Sequence, residues 1–205
     1  MTKKYISDEE LAWKAVEREH IVRDQWIDFQ KVKYRYPDGR EFAPFYRYSR
    51  RSYVVVVAED EAGNYICVRQ FRYGIEKVTV EFPAGGIERN GGAEYEGEQS
   101  GSARESALDA AKRELQEETG YSSEDWTHLI TIPSNATVAD NYAFVFYAKN
   151  CKKISDLHLD ETECLEPEIY TKEEIEAMIK DGSFAQAIHV MAWLMVKERE
   201  KNGCE

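Results

Sequence analysis

Arg113-Glu114-Leu115-Gln116-Glu117-Glu118-Thr119-Gly120 crowds three glutamates onto one turn of predicted helix. Reading outward from it, the helix begins near Glu105. Ala107, Leu108, Ala110, Ala111 and Leu115 favour it, and no Gly or Pro interrupts. Leu108, Ala111 and Leu115 recur at spacings of three and four, which makes theirs the buried face. Glu114, Glu117 and Glu118 stand at i, i+3 and i+4, so their carboxylates share another face. Gly120 is a C-terminal stop.

Glu114 and Glu118 are a like-charge i,i+4 pair, which costs a few tenths of a kcal/mol, roughly, in an isolated helix. The macrodipole also opposes anions at this end. Hard divalent cations among the oxygens offset both terms; Mg²⁺ takes oxygen ligands and completes its shell with water and substrate phosphates. The competing reading is a solvated acidic face, partly neutralised by Arg113 pairing with Glu117.

The wider spacing separates the two readings. Glu105, seven residues, Arg113-Glu114, an aliphatic residue, any residue, Glu117-Glu118, any residue, Gly120 and Tyr121 resemble the Nudix box. Upstream, Glu81-Phe82-Pro83-Ala84-Gly85-Gly86 resembles the strand and turn leading into that box in the ADP-ribose pyrophosphatase branch. Arg69-Gln70-Phe71-Arg72-Tyr73 resembles the strand before it. The resemblance covers about residues 50 to 200. One departure stands out: the family has five residues between the box glycine and the box glutamate, whereas Glu88 to Arg104 fill that gap here. This segment, rich in Gly, Ser and Glu, reads as a loop insertion at about 88–104, either a lid or a surface excursion.

The chain has 205 residues and a net charge of -12. That length suits one domain with an appendage. The acidic balance, without a basic stripe, argues against nucleic acid held through phosphates and against an anionic membrane surface. A chain so acidic needs cations to handle phosphates, in keeping with the glutamate cluster. Cys67, Cys151, Cys164 and Cys204 show no C-x-x-C pairing and no disulfide framework. Neither a signal peptide nor a membrane-length apolar run is seen, so the expected setting is cytoplasmic.

Along the chain, Asp8 to His20 predicts a helix capped by Ser7. Ile21 to Tyr36 alternates, Pro37-Asp38-Gly39-Arg40 turns, and Phe42 to Tyr48 returns: a hairpin with scope for a third strand. Such a sheet, aromatic on both faces, must pack on another body. Residues 1–50 therefore form an N-terminal antiparallel β appendage and 51–205 the main domain. Strands are predicted at Tyr53–Ala58, Tyr65–Phe71, Val78–Phe82, Trp126–Ile132, Asn141–Lys149 and Glu168–Tyr170. Thr171 caps a short helix stopped by Asp181-Gly182. Ser183 to Lys201 is the last helix, with Ala187, Val190, Met191, Leu194 and Met195 on its inner stripe. The class is α/β with a mixed sheet and helices on both faces, in keeping with the Nudix-type α/β/α sandwich the resemblance implies.

The chemistry expected is hydrolysis of a diphosphate, which needs charge neutralisation, a placed water and a base. Glu114, Glu117 and Glu118 are the metal ligands, for Mg²⁺ with Mn²⁺ as a substitute. The resemblance adds the carbonyl of Ala84 as a ligand, Glu105 as a residue behind the ligands or at the helix start, and Arg113 as an orienter of carboxylates. It also puts the catalytic base in the loop Leu159-Asp160-Glu161-Thr162-Glu163, as Glu163 first and Glu161 next; a solvated loop is the alternative. His158 beside it reads as exposed. Arg69, Arg72 and Glu81 are candidates for gripping substrate, although Arg69 and Arg72 fall on opposite strand faces and one of them can instead pair with Glu76 or Glu81. Phe45, Tyr46 and Tyr48 are candidates to stack on a nucleobase. The resemblance implies a nucleotide-sugar substrate such as ADP-ribose and a homodimer built through the N-terminal region. Three other readings stay open: a different nucleotide sugar, a nucleotide-binding sensor without turnover, and a plain scaffold domain.

Overall fold

The computed structural model describes residues 6–88, 105–159 and 163–203. The segment 89–104 of the insertion, Glu161 and Cys204 lie outside the described residues. Two compact units are present. Among the described residues the first holds 6–51 and 135–141, and the second holds the remainder.

In the first unit, α1 (Asp8–Leu11) is one turn. Ser7 Oγ accepts the Glu10 N–H and the Glu10 carboxylate accepts the Ser7 N–H, a capping box. The helix predicted to run on to His20 ends there. From Lys14 the chain is β1 (Lys14–Arg23), antiparallel to β2 (Asp28–Arg35), which pairs with β3 (Glu41–Ser49). Every residue of β1 is exposed, so no alternation of burial announces a strand. Ladder bonds to β2 decide its state, which local propensity does not register. Trp13 seats its ring 4.3 Å from Tyr36 and 5.4 Å from Phe45, between centroids. Tyr48 N–H reaches Val138 O (2.8 Å), and Arg47 pairs with Asp140, which fastens 135–141 to this sheet.

The second unit is built on β4 (Tyr53–Asp60). Its Val-Val-Val-Val-Ala run is buried on both sides. Val55 and Val57 face one core with Ile175, Phe184, Ala192, Trp193 and Val196, while Val54, Val56 and Ala58 face the other with Ala110, Ala111 and Leu115. β4 lies between β5 (Tyr65–Arg72), antiparallel, and β10 (Tyr142–Lys153), parallel. β6 (Lys77–Glu81) and β11 (Leu165–Tyr170) pair with β5, β7 (Ala84–Gly86) with β4, and β8 (Tyr121–Ser122) and β9 (Asp125–Pro133) with β10. Helix α2 (Ala107–Thr119) covers one face; α3 (Lys172–Asp181) and α4 (Ala187–Lys201) cover the other. This is a mixed sheet between helical layers.

The inner stripe predicted for α4 is wrong by about half a turn. The buried residues are His189, Ala192, Trp193 and Val196, while Leu194 is 56% exposed. Apolar residues surround this helix, so periodicity could not choose the face; Trp193, edge-on to Tyr65 at 4.7 Å, does. The helix also starts at Ala187 rather than Ser183. Phe184 is buried and its N–H goes to Met178 O at the end of α3 (3.0 Å).

Helix α2 ends as its sequence predicts. Gly120 has φ +75°, and its N–H reaches Gln116 O at 2.8 Å. A Cβ there would lie 2.2 Å from Ser155 O. Gly120 O in turn accepts the N–H groups of Ile154 (2.8 Å) and Ser155 (3.2 Å), and Glu117 O accepts that of His158 (3.0 Å). The segment 154–158 is thus hung on the end of α2. Gly120→Ala, strained in φ and by the clash, should lower the unfolding free energy by about 2 kcal/mol, read from urea denaturation of the variant against wild type.

Candidate active site

Ser106 caps α2, with its Oγ accepting the Asp109 N–H (3.1 Å), and the helix presents its three glutamates at different depths. Glu114 (6% exposed) and Glu118 (2%) are buried; Glu117 is half-buried. Among the described residues, oxygens of Glu114, Glu118 and Glu163 lie within 4.8 Å of one another. Glu163 comes from the far side of the 160–162 segment, so the grouping joins the helix to the acidic loop.

These carboxylates are held in an uncomfortable state. Burial pushes the Glu114 carboxyl up to about 7, against the pull of Arg113. Burial pushes that of Glu118 well above the usual range, and Glu114 adds to it; the Ala84 N–H and the charge of Arg72 oppose. Glu163 raises both. Three oxygen donors in so small a volume, two of them stripped of water, suit a hard divalent cation, whose charge would restore the ionised form.

The surroundings fix each group. Glu118 Oε2 accepts the Ala84 N–H at 3.0 Å. Gly85 lies so close to Glu114 that a Cβ would come within 2.0 Å of its carboxyl carbon. Arg113 spans the region: Nη1 meets Glu117 Oε2 (2.8 Å) and Glu114 Oε1 (2.9 Å), Nη2 meets Gly86 O (3.0 Å) and Glu105 Oε1 (2.9 Å), and Nε meets Glu105 Oε2 (3.2 Å). Glu105 Oε1 also accepts the Glu88 N–H at 2.9 Å. Residues 88 and 105, the two feet of the insertion, are therefore fastened to each other and to α2. Arg113 holds the Glu105 carboxyl below its ordinary range.

The remaining candidates divide. Arg72 Nε bonds Glu81 Oε1 at 2.7 Å, and Glu81 is wholly buried. Arg69 points the other way, exposed, 3.4 Å from Glu168; the opposite-face parity holds. Glu117 stands outside the close trio and is turned to Arg113. Ala84, paired with Val55 in the β4–β7 ladder, gives its N–H to Glu118. Tyr46, stacked on Phe29 at 5.7 Å, and Tyr48 belong to β3 in the other unit. Sequence reasoning missed β7, the contact that requires Gly85, and His189. The signal for His189 was there: a single polar residue in the apolar run from Ile188 to Trp193.

Residues 49–194 match the model of the NUDIX domain. The chain belongs to that family. It is a Nudix pyrophosphohydrolase, and its likeness is to the ADP-ribose pyrophosphatase-like branch. It is 27% identical over 194 residues to the ADP-ribose pyrophosphatase of Bacillus subtilis (strain 168), covering 90% of this chain and 94% of that one. It is 30% identical over 152 residues to the methanol dehydrogenase activator of Bacillus methanolicus, covering 73% and 75%. In fold, this Nudix chain is similar to a solved ADP compounds hydrolase, with a TM-score of 0.78 and 22% identity over 97% of this chain and 99% of that one. Among the described residues, no helix of the Nudix chain is long and apolar enough to cross a membrane.

Gly85→Ala tests the contact that shapes the site. The atoms in the way are the free end of a side chain, so the Glu114 carboxylate moves and the backbone does not. Displacement by an ångström or more should lower divalent-cation-dependent turnover by about 100-fold, with a melting temperature close to wild type.

Proposed function

We propose that this Nudix enzyme hydrolyses the pyrophosphate bond of ADP-ribose, or of a closely related nucleoside diphosphate sugar, to a nucleoside monophosphate and a sugar phosphate, with Mg²⁺ as cofactor and Mn²⁺ as a substitute. The observation that carries this is the trio Glu114, Glu118 and Glu163, with oxygens within 4.8 Å of one another at the end of a Nudix box. The name of the relative that spans nearly the whole chain supports the choice of substrate.

Glu114 and Glu118 would hold the cation, with the Ala84 carbonyl completing the protein side and Glu117 available from its pairing with Arg113. A cation bound there supplies neutralisation of the phosphate oxygens and polarisation of the attacking water. Glu163 takes a proton from that water as its oxygen bonds to one phosphorus. The P–O bond to the bridging oxygen breaks, and the bridging oxygen leaves on the other phosphate. Arg72 grips the diphosphate through its terminal nitrogens, its Nε being committed to Glu81. Arg113 fixes the orientation of Glu114 and Glu117, and Glu105 fixes Arg113. Arg69 and a nucleobase stack on Tyr46 or Tyr48 belong to the same proposal, as do a homodimer built through residues 1–50 and a cytoplasmic setting.

The test is a panel of nucleoside diphosphate derivatives with and without Mg²⁺. AMP should be released from ADP-ribose in Mg²⁺ and not in EDTA; no turnover of any member in Mg²⁺ or Mn²⁺ would leave a binding module. Glu118→Gln should lower kcat by roughly 100- to 1,000-fold, because it removes a direct ligand. Glu163→Gln should lower kcat by about 100-fold at saturating Mg²⁺, because it removes the group that takes the proton from water. If Glu163→Gln turns over like wild type, the base lies elsewhere.

A further inference from the structure

His189 sits on α4, 4% exposed, in an otherwise apolar run. A polar ring so placed needs partners. Its Nδ1 accepts the Phe82 N–H at 3.1 Å. Since Nδ1 accepts, the hydrogen of the neutral ring is on Nε2. Burial first, and the charge of Arg72 second, push its pKa down to about 3, so the ring is neutral near pH 7.

Nε2 lies 3.9 Å from Glu81 Oε2. That is beyond hydrogen-bond length, yet Nε2 stands beside an oxygen that is buried and, among the described residues, has no hydrogen-bond partner. The other oxygen, Oε1, takes Arg72 Nε at 2.7 Å and Thr79 Oγ1 at 3.2 Å. A line of contacts therefore runs from the Phe82 backbone through His189 and Glu81 to Arg72. Phe82 fixes the tautomer, the tautomer puts the hydrogen on Nε2 beside Oε2, and the carboxylate so held fixes the side nitrogen of the guanidinium. The terminal nitrogens of Arg72 are then aimed by a buried scaffold.

We propose that His189 is a positioning residue for Arg72, acting through Glu81, which presents the guanidinium ready-aimed to the diphosphate of the substrate. This rests on the reading of Arg72 as the diphosphate grip. A core residue that only tied α4 to the Phe82 backbone would use Nδ1; positioning uses Nε2. The two roles thus separate by atom.

His189→Asn keeps an acceptor near the place of Nδ1 and removes the donor toward Glu81. His189→Gln carries an amide N–H to the place of Nε2 and gives up the acceptor for Phe82. The readouts are kcat and KM for ADP-ribose in Mg²⁺, ADP affinity by calorimetry, and melting temperature. His189→Asn should raise KM and the Kd for ADP about tenfold, with kcat within about twofold, because a buried carboxylate loses the N–H beside it. His189→Gln should stay within about threefold of wild type in both constants while lowering the melting temperature, since it forfeits only the Phe82 bond. In an Arg72→Ala background, His189→Asn should change neither constant, there being no guanidinium left to aim.

Unchanged KM and Kd in His189→Asn, or an effect that persists without Arg72, would overturn the positioning role. If wild type does not hydrolyse ADP-ribose, the substrate reading falls on its own and ADP affinity across the variants decides the role of His189. If wild type does not bind ADP, the inference falls with it.

Discussion

Two carboxylates taken out of water beside each other are the constraint on which the second unit depends. Glu114 and Glu118 are on the inner side of α2, and burial drives both toward their protonated forms. A fold does not keep such groups for stability, since apolar residues of similar size would serve a helix better there. Keeping them requires local compensation, and the site supplies it. Arg113 lies against Glu114, the Ala84 N–H points at Glu118, and Gly85 leaves room that any side chain would take away. Each of these is matched to an ionised oxygen.

The same compensation explains how the site is assembled from distant parts of the chain. Arg113 ties α2 to the Gly86 carbonyl and to Glu105, so the helix cannot shift against β7 without breaking charged bonds. At the other end, Gly120 turns the chain through αL and its carbonyl receives the N–H groups of Ile154 and Ser155. The helix is thus fixed at one end to β7 and Glu105 and at the other to the segment 154–158. Loops can vary between these fixed points, and this chain carries a long segment between Glu88 and Glu105 whose feet are pinned together.

The sheet supplies rigidity from the opposite direction. β4 buries alternate valines into two cores, which locks α2 to one face and α4 to the other. Consequently the polar line from His189 through Glu81 to Arg72 is anchored in the core that α4 forms, while the acidic trio is anchored to α2. Arg72 and the acidic trio are thereby referred to one sheet, the kind of support that holds a site to the tolerance catalysis needs.

The sequence alone determined what is local. The box spacing, the caps at Ser7 and Thr171, the stops at Gly120 and Gly182, and the buried strand at 53–58 each follow from neighbouring residues, and the structure has them. It also determined that Arg69 and Arg72 part company across a strand. Only tertiary structure decided the rest. β1 is a strand because β2 pairs with it, a bond pattern absent from its own composition. α4 turns His189 and Trp193 inward because the facing sheet has room for them, whereas an apolar helix offers no preferred side by itself. Glu117, indistinguishable from Glu114 and Glu118 by spacing, is half-buried and stands outside the close trio, and Glu163 joins from a distant part of the chain. Periodicity assigns a face; the partner across that face assigns depth and charge, and those come only from packing.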